Sequence, residues 1–556
     1  MRFVLALHSH LPYVLNHGRW PHGSDWLCEA ALDTYLPLLD ALLTLEREGV
    51  AAPVTLGVTP VLANQLASPT FVTELEHFLG HRLETAATAE ASLAATDDLG
   101  LAPIAQFWEH RIRHLLELFR RVDGNLIEAF GGLARRGRLE LISSAATHGF
   151  LPLLARDESI RLQLLTGRAE HRRLFGLEPS GCWLPECAYR PAGPWAPRGA
   201  APAAHRRGTD EHLRDAGYAY FFVDAHLVKA GGYLGQYHDV PLGGERFGAD
   251  PTTHEAEPAP RARRSPYFPY RLAGPNGDRA LHALVRDPHT SLQIWSKFQG
   301  YPGDVAYLEF HKIRWPGGLK LWRVTGANAD LGDKQPYDPE AARRRVREHA
   351  THFAGVLSTA ALTQDGTVIV APFDTELFGH WWFEGVDFVA DLFRALQGAP
   401  ARPAPAGAVV AEQERRPVVR LAEGSWGNHG DFSMWLSPET AWTWHRLWPL
   451  EHTFWRLAPA ALAGGEDRRA VLAQAARSML LAQASDWQFI ISTGAAGDYA
   501  GHRLLLHCAD AEQLLQALEP TADADALAAA VREAERLRVR DDVFPNVLDA
   551  VRQALA

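Results

Sequence analysis

Carboxyl and imidazole side chains recur directly after short apolar segments in this chain of 556 residues. Glu186 follows the apolar segment 181–184, and Asp374 follows the segment 367–372. Such segments are typical of buried strands, and parallel strands bring their carboxyl ends to one edge of a sheet or barrel. We therefore expect one shared site at that edge. Other polar residues in the same position are His8, His10, His148, Asp224 and Asp287.

Glu186 has two interpretations. A carboxylate at a strand exit, followed by Tyr189 and Arg190, suits a nucleophile because nearby positive charge keeps it ionised. The same residue suits a structural role, in which it pairs with Arg190 and caps the next helix. The local sequence does not choose between the two.

Asp374 and Glu376 lie in a segment that is rich in aromatic residues. Retaining glycosidases use two carboxyl groups about 5–5.5 Å apart, one as nucleophile and one as general acid/base. Either Asp374 or Glu376 suits the second role, and burial beside Phe373 and Trp381 would raise the pKa of the acid. An N-cap aspartate is the structural alternative. The surrounding aromatic residues favour catalysis.

The histidines are compatible with more than one kind of site. His8 and His10 end the first predicted strand, and His148 follows another. Histidines in this position can bind a metal ion, hydrogen-bond sugar hydroxyls, or form a buried pair with backbone partners. A metal-dependent carbohydrate hydrolase or deacetylase, built on His8, His10 and an acid such as Asp224, is therefore a hypothesis from a different class.

Tryptophan is frequent, with 17 residues. Flat aromatic rings stack on flat sugar faces, and exposed apolar side chains need a reason. Trp426 and Trp435 lie in loops with few apolar neighbours in sequence, so we expect them to bind a ligand. Trp295 and Asp486 are further candidates. Four tryptophans are expected to pack helices instead: Trp442, Trp444, Trp448 and Trp455.

Apolar segments alternate with helical patterns through residues 1–397, which predicts parallel βαβ units in an incomplete or distorted barrel. A helical stretch at about 69–125 is expected to be inserted at the barrel rim. Residues 398–420 are rich in Ala, Pro and Gly and are interpreted as a linker. Residues 421–556 are predicted to form a helical domain that contributes tryptophans to the cleft.

Composition narrows the function classes. The formal net charge of −11 gives no support to nucleic-acid binding. The four cysteines form no C-x-x-C pair, so neither a disulfide framework nor a structural zinc site is indicated. The N-terminus lacks the pattern of a signal peptide, and no stretch of about 18 apolar residues indicates a membrane helix. We expect a cytoplasmic monomer without a nucleic-acid or membrane partner.

Six motifs together resemble glycoside hydrolase family 57 and, within it, the 1,4-α-glucan branching enzymes. In chain order they are HSHLPY, ISSAATHGFLPLL, CWLPECAYRP, APFDTELFGHWWFEG, EGSWG and ASDWQF. Their order is specific, and they span nearly the whole chain. The resemblance implies an α/β fold with a distorted (β/α)7 barrel, a helical insertion and a C-terminal all-helical domain. It also implies a retaining mechanism without a metal ion or other cofactor.

The resemblance implies roles for single residues. Glu186 is implied as the nucleophile and Asp374 as the general acid/base. A tyrosine on the loop after Phe-Val-Asp-Ala-His is implied at Tyr233, although Tyr237 fits the same pattern. Substrate-binding positions are implied at His10, His148, Trp295, Trp426, Trp435 and Asp486.

The implied reaction cleaves an α-1,4-linked glucan, such as amylose or a glycogen-type chain, and forms an α-1,6 branch. An α-amylase or a 4-α-glucanotransferase of the same family would use the same carboxyl pair, so both are alternatives. The first motif has the form His-Ser-His-Leu-Pro, which resembles the branching subgroup rather than the His-Gln-Pro found in much of the family. The Pro- and Arg-rich region 190–207 departs from the pattern and could change acceptor access.

Overall fold

The strands and helices come from a computed structural model. It describes residues 1–95, 100–197, 203–230, 264–274, 280–295, 300–315, 317–326, 328–412 and 416–556. The strands are β1 (Arg2–Ser9), β2 (Thr55–Val58), β3 (Glu140–Ser144), β4 (Gly181–Trp183), β5 (Gly193–Trp195), β6 (Ala204–Arg206), β7 (Tyr220–Val223), β8 (Tyr270–Leu272), β9 (His282–Val285), β10 (Val368–Asp374), β11 (Arg402–Pro403) and β12 (Val418–Val419). The helices in the first part are α1 (Ser24–Ala30), α2 (Leu36–Glu48), α3 (Pro60–Leu66), α4 (Pro69–Ala94), α5 (Ala102–Arg121), α6 (Leu126–Arg135), α7 (Asp157–Phe175), α8 (Thr209–Asp215), α9 (Pro288–Trp295), α10 (Pro339–Thr363), α11 (Gly385–Ala395) and α12 (Ala406–Ala411). The C-terminal helices are α13 (Ala441–Ala463), α14 (Glu466–Ala482), α15 (Asp486–Thr493), α16 (Gly497–Gln516), α17 (Ala524–Arg540) and α18 (Val547–Leu555).

The central sheet is curled and mostly parallel. Its strands follow the order β10-β1-β2-β3-β4-β7-β9, and each neighbouring pair in this order is parallel. A parallel bridge joins Arg286, directly after β9, to Val370 in β10, and so connects the first and last strands of this order. Strand β1 is buried almost throughout. Parallel strands that are covered on both faces need apolar side chains along most of their length, and the sequence of β1 meets this requirement. The predicted mixed α/β fold with a curled barrel-like sheet and a helical C-terminal region is confirmed.

The register of the sheet brings chemically active residues together at its carboxyl edge. His8 in β1 is the Cα partner of Asp374 in β10. Ser144 at the end of β3 is the partner of Trp183 at the end of β4, just before Glu186. The connections that leave these strand ends therefore start on the same side of the barrel.

Helices α4 and α5 lie between β2 and β3 in sequence and pack against each other. Helix α4 begins with Ser68 as N-cap, whose side chain accepts from the Thr70 amide. The two helices also hold the segment before α10. Arg82 Nη1 donates to the Gly317 carbonyl at 2.6 Å, and Trp108 Nε1 donates to the Lys320 carbonyl at 2.6 Å.

Residues 398–420, interpreted from sequence as a linker, are packed against the barrel where they are described. Strand β11 pairs with β1, and β12 pairs with β8. The Ala406 amide donates to Thr55 Oγ1, and the Gly407 amide donates to Glu140 Oε2. The domain boundaries at 397 and 420 stay predictions. Among the described residues, no helix combines the length and the apolar character that crossing a membrane requires.

A buried charged cluster joins the N-terminal segment to the C-terminal helices. Arg540 Nη2 lies 2.6 Å from Asp510 Oδ2 and 2.5 Å from Asp541 Oδ2. His17 Nε2 lies 2.6 Å from Asp541 Oδ1, and the Asp541 side chain is fully buried. Burial opposes ionisation of Asp541, but hydrogen bonds from His17 and Arg540 keep its pKa below the ordinary value. The cluster therefore stabilises the contact only while Asp541 is charged.

Asp541→Asn should lower the stability of the folded protein by about 3 kcal/mol, because it removes a buried charge and leaves Arg540 with a poorer partner. The neighbouring Asp542 side chain is 77% exposed, so Asp542→Asn is the matched control and should change stability by less than about 0.5 kcal/mol. Urea unfolding followed by circular dichroism measures both. Equal midpoints for the two variants would contradict the role of the cluster.

Candidate active site

Glu186 lies on a tight turn directly after β4. Its backbone has φ 59° and ψ 22°, and Cys187 has φ 48°, so two consecutive non-glycine residues are in the left-handed region. Such a conformation costs on the order of 1–3 kcal/mol per residue and persists only where the surroundings hold it. Trp426 provides much of that constraint. Its amide donates to the Glu186 carbonyl at 3.0 Å, and its Nε1 donates to Glu186 Oε2 at 2.9 Å.

The structural alternative for Glu186 is not formed. The buried Arg190 side chain donates to the carbonyls of Pro152 and Arg207, both at 3.3 Å, and not to Glu186. Burial instead raises the pKa of Glu186 to about 7, and the hydrogen bond from Trp426 opposes that rise. Because Arg190, the partner that the structural role requires, is bonded elsewhere, the geometry favours a chemical role.

Asp374 is the last residue of β10, at the same edge of the sheet as Glu186. Burial raises its pKa well above the usual range, and the negative charges of Glu186 and Glu376 raise it further, while Arg286 opposes them. The described residues donate no hydrogen bond to the Asp374 carboxyl group. A carboxyl group whose pKa is raised in this way suits a general acid.

Glu376, the other candidate for that role, has structural partners. Its Oε1 accepts from Tyr35 Oη at 2.6 Å and from the His10 amide at 3.1 Å. Burial raises its pKa to about 6. Tyr35 comes from a π-helical turn, Ala31–Tyr35, that joins α1 to α2, and such turns are frequent at functional sites. Between the two acids, Asp374 is thus the better candidate for the acid/base.

The three histidines form one stacked group beside Glu186. The ring centroids of His10 and His148 are 4.1 Å apart, and His8 Nε2 lies 3.1 Å from His148 Nε2. The His8 ring also stacks on Trp183 at 4.7 Å. Burial lowers the pKa of His8 and His148 well below the ordinary value, so both rings are neutral. His148 Nδ1 lies 3.9 Å from Glu186 Oε1.

The C-terminal region orients these rings. His10 Nε2 lies 2.8 Å from Asp486 Oδ2, and His148 Nδ1 lies 2.9 Å from Ser485 Oγ. The other nitrogen of His10 lies 2.9 Å from Thr59 Oγ1. The predicted site residues His10, His148 and Asp486 are therefore in direct contact, although more than 300 residues separate Asp486 from each histidine in sequence.

Trp426 and Trp435 have few apolar neighbours in sequence, but in the folded chain both rings are buried. Trp426 is 2% exposed and packs edge-to-face on Trp183 at 5.3 Å. Trp435 is fully buried and stacks on Phe150 at 4.4 Å. Their loop has these apolar neighbours only in the folded chain, because it packs onto the last residue of β4 and onto the segment after β3. The Trp435 ring has no exposed surface in this arrangement, so a ligand would reach it only after a rearrangement.

Trp381 also departs from expectation. Burial around this ring was expected, but the Trp381 side chain is 58% exposed and stacks on Phe310, with ring centroids 5.0 Å apart. The neighbouring Trp382 is the buried ring, at 2% exposure. Consecutive side chains after a strand point in different directions, and the sequence Trp-Trp does not show which of the two is buried.

Arg286 is a site residue that the sequence analysis missed. It is buried, donates from Nη1 to Asp224 Oδ2 at 3.1 Å, and lies over the rings of Trp295 and Trp426 at 5.8 and 5.6 Å. Its charge also opposes the rise of the Asp374 pKa. The sequence signal for Arg286 was its position directly after the apolar segment 281–285.

The metal-ligand set that the sequence suggested is not assembled. Asp224 bonds to Arg286 and His226 rather than to His8 or His10. Another combination has the geometry of a ligand group: atoms of His10, His148 and Asp486 lie within 4.8 Å of one another. Two further predictions, Tyr233 and its alternative Tyr237, lie outside the described residues.

Two family models match the chain. The first, Glycosyl hydrolase family 57, matches residues 4–404, and the second, described as 1,4-alpha-glucan branching enzyme, C-terminal, matches residues 449–550. Because the first match covers more than half of the 556 residues, this chain belongs to glycosyl hydrolase family 57. The family that the six motifs indicated is confirmed.

Relatives agree with that assignment. The 1,4-alpha-glucan branching enzyme of Thermococcus kodakarensis is 36% identical over 528 residues, which cover 93% of this chain and 73% of the relative. The crystal structure of a branching enzyme of this family from Pyrococcus horikoshii has a TM-score of 0.87 at 36% identity, covering 99% of this chain and 96% of that one. An α-amylase from Thermotoga maritima has a TM-score of 0.76 at 27% identity, with 98% of both chains covered.

Trp426→Phe should shift the acidic limb of the kcat/KM–pH profile to higher pH by about one unit. The lost hydrogen bond stabilises the ionised form of Glu186, so its pKa rises further and a higher pH is needed to ionise the nucleophile. Trp448 is a buried tryptophan whose Nε1 donates to the Leu153 carbonyl, which makes Trp448→Phe the matched control. An unshifted acidic limb in Trp426→Phe would sink this assignment.

Proposed function

We propose that this protein is a retaining 1,4-α-glucan branching enzyme in which Glu186 is the nucleophile and Asp374 the general acid/base. The observation that carries this proposal is the pair of partly buried carboxyl groups at one barrel edge, where the charge of Glu186 raises the pKa of Asp374. Two such groups cannot both ionise easily, so one is kept as an acid while the other is a carboxylate. Retaining glycoside chemistry requires this division of roles.

The first step breaks an α-1,4 bond. Glu186 attacks the anomeric carbon of the donor sugar, and the proton of Asp374 passes to the departing glycosidic oxygen. A β-linked glucosyl-enzyme ester forms on Glu186, the reducing-end part of the chain leaves as an alcohol, and Asp374 becomes a carboxylate. Trp426 keeps Glu186 in position for this attack, because it holds both the backbone carbonyl and the side chain.

The second step forms the branch. Asp374, now a base, takes the proton from the 6-hydroxyl group of an acceptor glucan, and that oxygen attacks the anomeric carbon. The ester bond to Glu186 breaks, Glu186 returns to a carboxylate, and two inversions at the anomeric carbon leave an α-1,6 linkage. Water in place of the acceptor would give hydrolysis, so the yield of branches depends on how well the acceptor is held.

The histidine group, in particular the neutral ring of His148, suits the donor sugar. His10 and His148 lie beside Glu186 and are oriented by Asp486 and Ser485. Neutral imidazoles both donate and accept hydrogen bonds, as sugar hydroxyl groups require. We assign substrate contact also to Trp295, whose ring lies 6.2 Å from that of Trp426. Trp435 and Tyr233 keep their assignment to the substrate region as predictions.

An α-amylase or a 4-α-glucanotransferase would share both carboxyl groups. Two observations favour branching. The C-terminal region matches a model of branching enzymes, and identity is higher to the branching enzyme from Pyrococcus horikoshii, at 36%, than to the α-amylase from Thermotoga maritima, at 27%. The α-glucan substrate class is common to all three activities. The expected monomeric state and cytoplasmic location do not distinguish these three activities, and both stay predictions.

Glu186→Gln should lower kcat on amylose on the order of 10³-fold or more, because the amide cannot form the ester intermediate. Glu384 is a suitable control: it is also a buried acid, burial raises its pKa to about 7, and it bonds to Tyr337 and the Leu308 amide. Glu384→Gln should lose less than about tenfold. Near-normal turnover by Glu186→Gln would refute the nucleophile assignment.

Incubation of the protein with linear amylose tests the reaction as a whole. The α-1,6 linkages and the reducing ends formed are quantified in the same sample, and new short chains are sized after enzymatic debranching. Branching predicts more α-1,6 linkages than new reducing ends. Reducing ends alone would indicate an α-amylase, and altered chain lengths without α-1,6 linkages a 4-α-glucanotransferase. Activity lost with a chelator and restored by zinc would favour the metal-dependent alternative.

A further inference from the structure

Trp381 is an exposed aromatic ring that is held in a defined orientation. It is 58% exposed, and it stacks on Phe310 with an interplanar angle of 29°. One face of the indole is therefore covered and much of the rest is open to solvent. Three other tryptophans have side chains that are at least 37% exposed, namely Trp20, Trp315 and Trp442. Within the described residues, none of these three stacks on another aromatic ring.

Contacts on both sides of Trp381 fix its backbone and its support. The Trp381 amide donates to the Glu376 carbonyl at 3.1 Å, and the amide of the preceding His380 donates to Thr34 Oγ1 at 3.1 Å. Lys320 Nζ lies 4.7 Å from the centroid of the Phe310 ring. A ring supported in this way loses little conformational entropy when a ligand covers it.

Polar groups surround the stacked pair. Asp33 Oδ2 lies 3.3 Å from His380 Nδ1 and 3.4 Å from Lys320 Nζ. The side chains of all three are partly accessible, with between 12% and 18% of their surface exposed. A flat apolar face bordered by hydrogen-bonding groups is complementary to a pyranose ring, which has an apolar face and hydroxyl groups at its edge.

The position of Trp381 in the chain associates it with Asp374, the proposed acid/base. The segment that carries it leaves the carboxyl end of β10 directly after Asp374. A general acid/base contacts the leaving oxygen in the first step and the acceptor oxygen in the second. The Trp381 amide is bonded to the Glu376 carbonyl, two residues after Asp374, and this associates the ring with the acid/base and with the leaving and acceptor chains.

We propose that the exposed face of Trp381, supported by Phe310, is a binding platform for the acceptor chain of a linear α-glucan. This inference rests on the proposed function, because an acceptor chain exists only in a transfer reaction. The platform holds the acceptor near Asp374 and so favours transfer over attack by water. Asp33, Lys320 and His380 hydrogen-bond the hydroxyl groups at the edge of the bound sugar.

The first experiment measures binding without turnover. In the Glu186→Gln background, isothermal titration calorimetry with maltoheptaose should show an affinity about tenfold weaker for Trp381→Ala, since a full stacking contact is lost. Trp381→Tyr keeps a flat ring and should remain within about twofold of the parent. Trp442→Ala removes another exposed tryptophan, on α13, and is the matched control with unchanged affinity.

The second experiment measures partition between transfer and hydrolysis with amylose. Trp381→Ala in the active enzyme should lower the ratio of α-1,6 linkages to reducing ends about tenfold and raise KM, while the melting temperature stays within about 2 °C of the parent. Trp381→Tyr should restore the ratio. A lower kcat and melting temperature with an unchanged KM would assign Trp381 a purely structural role and overturn the inference.

The two experiments separate the inference from the proposed function. If the unmodified enzyme forms no α-1,6 linkages, the proposed function fails, and with it the assignment of the bound chain as acceptor, whatever the binding data show. If the unmodified enzyme branches normally and Trp381→Ala binds maltoheptaose and partitions as the parent does, the function stands and the platform is refuted. Weaker binding together with a lower transfer ratio supports both.

Discussion

The paired hydrogen bonds between Trp426 and Glu186 are the constraint on which the rest of the site depends. Glu186 occupies a left-handed backbone conformation that a non-glycine residue adopts only under restraint. Trp426 restrains the carbonyl and the carboxylate of that one residue together. Because it stabilises the ionised carboxylate, it also opposes the rise of the Glu186 pKa that burial causes. Position and charge of the proposed nucleophile thus have a common origin.

The C-terminal part of the chain completes a site that the barrel begins. The barrel strands supply Glu186, Asp374 and the histidines, whereas Trp426, Ser485 and Asp486 come from beyond residue 420. Imidazole rings offer the hydrogen-bonding groups that sugar hydroxyls need, and the orientation of His10 and His148 depends on these later residues. The charged cluster around Asp541 holds the same two parts together at a distance from the chemistry. Separation of the two parts would therefore remove the support of Glu186 as well as the partners of the histidines.

Burial was the property least accessible from sequence. Trp426 and Trp435 lie among polar residues in the chain, yet both are buried, because their neighbours Trp183 and Phe150 belong to distant segments. Trp381 shows the reverse: its aromatic sequence neighbours suggest burial, and it is exposed. Arg286 was overlooked because its importance depends on Asp224 and two tryptophans that are far from it in sequence.

The sequence by itself determined the alternation of strands and helices, the placement of Glu186 and Asp374 at strand ends, and the family. These properties depend on local apolar patterns and on motifs that are continuous in the chain. Only the tertiary structure decided that Glu186 bonds to Trp426 and not to Arg190. It also decided that, within the part of the chain that is described, Glu376 and not Asp374 accepts a hydrogen bond from Tyr35, and that Trp381 presents an open face. The physical reason is that pKa, exposure and hydrogen bonding depend on groups brought together across hundreds of residues, and those contacts leave no local pattern in the chain.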